Sequence, residues 1–282
     1  MSSFERPAER KLTSLPTGPT PLGKINDNGI DAHLLKLSSF SGRDERFSEK
    51  LSKNAAEAII AKAHKKPTMP ERIAYITDAL QGIPTKYDTL TPKGSDEKLV
   101  VDFTAMDCVT FVETALAMAN ADSYGTFVQN LIKMRYKNGA ISWKERNHYM
   151  IKDWATHNAG SFVSDATEGL AEGNTQTAQR ALTYIDRDGD GRPEAEKTTF
   201  TYIPRESLAS VQKNIREGDI IVFISKKTNL DAEHTGFARW KNGELYLFHA
   251  KQKNEVQQDP LSLTEYLASK KQFAGFKVLR AR

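Results

Sequence analysis

Apolar residues recur along this chain at two different periods, and the change falls near residue 200. Before it the spacing is helical. In PERIAYITDALQG (70–82), Ile73, Ile76 and Leu80 form one stripe; Pro70 suits the first helical position and Gly82 the stop. NAAEAIIAKAHKK (54–66) is helical in propensity. In DCVTFVETALAMAN (107–120), Cys108, Phe111, Val112, Ala115, Leu116 and Ala119 recur at three- and four-residue spacing. That pattern predicts a largely buried helix, with Asp107 as its N-cap and Cys108 in its first turn. SYGTFVQNLIKMRYKNG (123–139) is a further amphipathic helix, with Tyr124, Phe127, Val128, Leu131 and Met134 on one side and Asn138-Gly139 as its stop.

Beyond residue 200 the period shortens. A short helix (Leu208, Val211, Ile215) closed by Gly218 leads into the strand DIIVFIS. HTGFARW and ELYLFHA then flank Lys241-Asn242-Gly243, the strongest short hairpin signal. DPLSLTEYLASKK reads as a capped helix and FAGFKVLRA as a last strand. Helices followed by an antiparallel sheet define the α+β class. Residues 2–28, rich in Ser, Pro, Thr, Gly and Lys without periodicity, extend into an N-terminal tail or strap over residues 1–50. The remainder, 51–282, is expected to be a single domain, with an insertion at about 143–200.

Composition narrows the function classes. The 282 residues carry 40 basic and 36 acidic side chains, well mixed, and no basic stripe with interleaved aromatics, which argues against nucleic acid. No apolar run approaches the roughly 18 residues of a membrane span. The opening MSSFERPAERKL has no apolar core of a secretory signal, which fits either a cytoplasmic protein or a trimmed exported one.

Cys108 is the single cysteine. A thiol in the first turn of a helix faces unpaired N–H groups and the positive end of the macrodipole, both of which favour the thiolate. Taken alone it also reads as core, since free Cys is among the most buried residue types. The histidines shift that balance. With Asn242-Gly243 as a two-residue turn, Phe237 faces Phe248 and Gly236 faces His249. His234 and His249 then project from one sheet face as diagonal neighbours, close enough for one imidazole to bond the other. That arrangement suits a base, His234, oriented by His249. Half a metal site is the alternative, but a zinc site takes three or four ligands.

DRDGDGRPEAEK (186–197) copies the first half of a calcium loop: Asp186, Asp188 and Asp190, then Gly191, with Lys197 where a bidentate Glu belongs and Glu194 and Glu196 as imperfect substitutes. A bound calcium would be structural. The same residues make an ordinary solvated turn between QRALTYI and KTTFTYI.

DCVTFVETALA, REGDIIVFIS and EHTGFARWKNGELYLFHA together resemble the NlpC/P60 superfamily of papain-like cysteine peptidases and amidases. More narrowly, with GIPTKYDTL, RNHYMIKDW and EYLASKKQFAGFKVLR, they resemble its DUF1460 group, the N-acetylmuramoyl-L-alanine amidase-like proteins of bacteria. The resemblance runs from about Gly82 to Arg280. It implies a papain-like fold, Cys108 as nucleophile, His234 as general base and His249 as orienting residue. It also implies a substrate cleft near Tyr87, Asp107, Arg146, Asn147, His148 and Tyr149; the family's usual Pro-Tyr is replaced here by PTKY. No cofactor is implied. The substrates would be peptidoglycan fragments and the location the bacterial envelope. The bond would be that between muramic acid and L-alanine, or, in the commoner NlpC/P60 activity, that after γ-D-glutamate. A non-catalytic wall-binding module is the reading from another class.

Overall fold

The structure is a computed structural model that describes residues 42–188, 192 and 194–282. The unpatterned stretch 2–28, His33, Asp190 and Gly191 lie outside the described residues.

The helices begin at their caps. Ser52 caps α1 (Lys53–His64), and Thr68 caps α2 (Met69–Leu80) in a reciprocal box with Glu71. Such a box satisfies backbone groups that a helix start leaves orphaned. α3 (Cys108–Ala119) begins directly after Asp107 and is buried from Thr110 to Ala119. A helix covered on every side must run through the core. α2, α4 (Tyr124–Arg135) and the hairpin described below surround it. α4 ends at Arg135, before the expected Asn138-Gly139 stop, because Tyr136 turns to extended backbone (φ −122°, ψ 134°) to place its ring in the core. Asn138 and Gly139, at φ 54° and 68°, form the next turn instead.

β1 (Arg43–Arg46), within the stretch read as tail or strap, pairs in parallel with β2 (Leu99–Asp102). The other described strands are β3 (Val163–Asp165), β4 (Gln176–Leu182), β5 (Glu196–Pro204), β6 (Ile220–Ser225), β7 (Ala232–Lys241), β8 (Glu244–Ala250), β9 (Val256–Ser262) and β10 (Phe273–Ala281). They form an eight-stranded sheet in the order β4-β5-β10-β6-β7-β8-β9, with β3 also against β10. Every pairing in it is antiparallel. The architecture is therefore mixed α+β with a large antiparallel sheet. β6 is apolar at consecutive positions because both faces are covered. Ile220, Val222 and Ile224 join the helices, while Ile221 and Phe223 join a second cluster under α5 (Leu263–Ser269).

One boundary differs from the sequence reading in a way that matters for the site. DPLSLTEYLASKK is not helical from Asp259. Residues 256–262 are the edge strand β9, where Pro260 loses no ladder bond it needs, and the helix starts only after Ser262, which forms a capping box with Glu265.

Beneath the start of α3 lies a buried ion pair. Arg135 Nε donates to Glu113 Oε2 at 2.7 Å and its Nη1 to the Val100 carbonyl at 2.6 Å, while Trp154 Nε1 donates to Glu113 Oε1 at 3.1 Å. One carboxylate thus ties together α3, α4 and the π-helical turn Met150–Ala155, and the guanidinium adds β2.

Candidate active site

Cys108 is the first residue of α3 and is half-buried. The backbone N–H of Thr235 on β7, together with the N–H groups of Cys108 and Val109, is aimed at the sulfur. These donors do not produce a resting thiolate. Burial, and then the adjacent Asp107 carboxylate, push the thiol up to about 12. The helix start was expected to stabilise the anion; here burial outweighs its donors, and its cap is itself a carboxylate. Asp107 Oδ1 accepts from the Val109 and Thr110 N–H groups at 2.9 and 2.7 Å, so the sulfur shares the Val109 N–H with the cap.

The β7–β8 hairpin has the register inferred from its turn. Asn242 and Gly243 both take positive φ (52° and 80°), Lys241 pairs with Glu244, and Phe237 with Phe248. Gly236 lies against His249: a Cβ there would stand 2.7 Å from the Phe248 carbonyl oxygen and 2.8 Å from His249 Cβ. Only glycine fits this close approach. The two imidazoles meet across the space, His234 Nε2 lying 2.6 Å from His249 Nδ1.

Beyond His249 stands a residue that the sequence reading had put at a helix start. Asp259 Oδ2 is 3.2 Å from His249 Nε2 and 3.1 Å from Lys251 Nζ, and its Oδ1 accepts from the Leu261 N–H at 3.0 Å. Burial opposes the charge, but the bonds from His249, Leu261 and Lys251 hold the Asp259 carboxyl well below the usual carboxylate range. An ionised carboxylate only accepts, so it fixes both rings. His249 carries its proton on Nε2 and presents a bare Nδ1; His234 must then donate from Nε2, which leaves the His234 Nδ1 lone pair as the basic site. Burial, followed by His249 and Lys270, keeps His234 well below its usual 6.5, and burial lowers His249 as well. Both rings are neutral at neutral pH.

Two clefts flank this centre. The first, about 420 Å³, is walled by His234, His249, Tyr87 and Tyr266. The second, about 570 Å³, is walled by Asp107, Val109, Asp88, Trp143, Arg146, Asn147 and His148. Tyr87 is 55% exposed, and burial, then the nearby Cys108 and Asp107, raise its hydroxyl above its usual value. Arg146 and Asn147 line the second cleft with their side chains already committed. Arg146 pairs with Glu97 at 3.1 Å under the Trp143 ring, and Asn147 Nδ2 donates to the Met134 carbonyl, with its Oδ1 buried and unpaired. His148 Nε2 bonds the Trp143 carbonyl at 2.7 Å, and burial pushes its pKa down to about 4. Tyr149 reaches neither cleft. Its hydroxyl accepts from the Tyr184 and Ile185 N–H groups at 3.1 Å and anchors the β4–β5 hairpin. Trp143, which no motif singled out, is the half-exposed aromatic surface of the second cleft.

The described part of the acidic loop turns its carboxylates toward lysines and arginines. Asp186 pairs with Lys93 at 2.5 Å, Asp188 with Lys144 at 3.1 Å, and Glu196 with Arg187 and Lys152. Among the described residues no group of three His, Cys, Asp or Glu converges as metal ligands would.

Residues 75–276 match the AmiA-like family, described as N-acetylmuramoyl-L-alanine amidase-like, and the chain belongs to that family. A DUF1460 protein of Legionella pneumophila has a similar structure (TM-score 0.69, 22% identity, 81% of this chain and 94% of that one). So has an N-acetylmuramoyl-L-alanine amidase of Bacteroides uniformis (TM-score 0.67, 24% identity, 76% and 99%). A Bacteroides fragilis protein described as a proposed xylanase is similar too (TM-score 0.63, 28% identity, 73% and 98%). No curated protein matches the chain.

Proposed function

We propose that the protein is a cysteine amidase of papain-like NlpC/P60 type, acting at the cell envelope on the amide between N-acetylmuramic acid, including its 1,6-anhydro form, and L-alanine in peptidoglycan fragments. Family membership supports amidase chemistry. The observation that carries the cysteine mechanism is the Asp259–His249–His234 chain beside the helix start that bears Cys108. Cys108 Sγ attacks the lactyl carbonyl carbon as its proton passes to His234 Nδ1, and the Cys108 N–H helps hold the oxyanion. Collapse breaks the C–N bond, with the proton going from His234 to the departing alanine nitrogen. Water, deprotonated by His234 Nδ1, then attacks the thioester, and collapse releases the acid while the proton returns from His234 to the Cys108 sulfur.

Glycoside chemistry of the xylanase kind has less support. It calls for a facing pair of available carboxylates, and of the carboxylates around this centre Asp107 is engaged by its helix, Asp259 by His249 and Lys251, and Glu233 by Ser225, which leaves Asp88 without a free carboxylate to pair with. The test is mass spectrometry of a disaccharide tetrapeptide, preferably anhydro-terminated, after incubation with the protein. Free disaccharide and an intact tetrapeptide beginning with L-alanine are expected. A released diamino-acid peptide, leaving L-Ala-D-Glu on the sugar, would establish the γ-D-glutamyl endopeptidase. No cleavage under any condition would leave a wall-binding module.

A further inference from the structure

The position of the base decides how a substrate must lie. In acyl transfer the group that takes the nucleophile's proton delivers it to the leaving nitrogen, over hydrogen-bond distance. His234 and His249 wall the first cleft, whereas the chain neighbours of Cys108, Asp107 and Val109, wall the second. The leaving half of the substrate therefore belongs in the first cleft and the acyl half in the second. On the amidase reading, the leaving half is the stem peptide, and the acyl half is the sugar, lying toward Trp143.

The first cleft carries a charge pattern that the mechanism does not use. Lys227, Lys251 and Lys270 line it. The acidic groups facing them are Glu233, whose Oε1 accepts from Ser225 Oγ at 2.6 Å, and Asp259, which lies behind Lys251 and is engaged by His249. Lys227 is exposed, and Lys270 is half-buried over the Tyr266 ring at 5.3 Å. The cleft wall is thus net cationic, and its about 420 Å³ suits a short peptide segment. A stem peptide presents the α-carboxylate of its γ-linked glutamate and a C-terminal carboxylate, both anionic at neutral pH.

We propose that Lys227, Lys251 and Lys270 form the subsite for the carboxylates of the departing stem peptide. This rests on the amidase reading for the identity of the leaving group, and on the placement of the base for its direction. Lys251, joined to Asp259, also links occupancy of the cleft to the group that fixes the histidine tautomers.

The test uses the full chain carrying Cys108→Ala and measures binding of the tetrapeptide L-Ala-γ-D-Glu-diaminopimelate-D-Ala by calorimetry. The double variant Lys227→Ala/Lys270→Ala should weaken binding at least about tenfold, as loss of charge-assisted bonds does, and Lys226→Ala, one position off the cleft, should not. A tetrapeptide with its carboxylates amidated should bind the unaltered lysines correspondingly worse. In the active enzyme the double variant should raise KM for the disaccharide tetrapeptide more than it lowers kcat. Unchanged tetrapeptide binding by the double variant, equal binding of the amidated peptide, or no binding to the unaltered lysines would overturn the subsite. The wrong products in the muropeptide digest would instead overturn the amidase reading, so the two failures are separable.

Discussion

Cys108 and His234 are both neutral at rest, and the kinetics should show it. A preformed thiolate reacts with iodoacetamide at a rate that levels off at low pH, whereas a thiol pushed up to about 12 should label about tenfold faster for each pH unit between 7 and 10. A plateau below pH 8 would mean an ion pair instead. The same electrostatics place the acid limb of kcat/KM. A base held below its usual 6.5 stays unprotonated as pH falls, so activity should persist below pH 6.5 and be lost only when His234 Nδ1 takes a proton. Side-chain replacements should follow the proton path. Cys108→Ala should abolish turnover and His234→Ala should lower kcat roughly 10²–10⁴-fold. His249→Asn should retain part of the rate. Asp259→Asn should retain more than Asp259→Ala, because an amide oxygen can still accept from His249 Nε2 and hold the tautomers. Equal rates for the two Asp259 variants would remove the orienting role.

At the scale of the element, the hairpin matters more than its length suggests. Gly236 is where β7 and β8 come too close for any side chain, so Gly236→Ala must push His249 or the Phe248 carbonyl aside. We expect a loss of about 1–3 kcal/mol from overpacking, visible in urea titration, and a fall in kcat larger than that of a remote substitution of equal cost. The β4–β5 hairpin carries the acidic loop. Its loop resembles half a calcium site, but Lys93 and Lys144 neutralise Asp186 and Asp188. The calcium reading is decided by the melting temperature: indifference to EDTA and to added Ca²⁺ would leave an ordinary turn. A rise with Ca²⁺ that EDTA reverses would show that the loop exchanges these lysines for an ion.

For the whole molecule, the Glu113–Arg135 pair is the buried polar tie between the thiol-bearing helix and its neighbours. It joins α3 to α4, β2 and the Trp154 turn from inside the core, with both side chains only 2% exposed. Removing one partner strands a buried charge, so Glu113→Ala should cost about 3–5 kcal/mol, measured by urea unfolding. The paired change Glu113→Leu/Arg135→Met should recover much of that stability. If the single variant were as stable as the parent, the pair would not be what locks the helix.

Much of this protein is legible in its chain because the signals are local. Asp107 starts α3, Thr68 and Glu71 box α2, and Asn242-Gly243 with the parity of its flanks sets the register that brings His234 to His249. Such features depend on spacing of a few residues, which a linear pattern records. Asp259 was hidden because its neighbours Ser262 and Glu265 make a true capping box three residues on, so the whole stretch reads as helix. The arginine and asparagine of RNHY were legible as cleft residues but not as buried, committed ones. Trp143 gained a role only when Arg146 packed beneath its ring. The state of the thiol was the least legible of all. Its position at a helix start is written in the sequence, but its protonation follows from burial and from the charge of Asp107. Desolvation is a property of everything packed around a group, and only the tertiary structure assembles that.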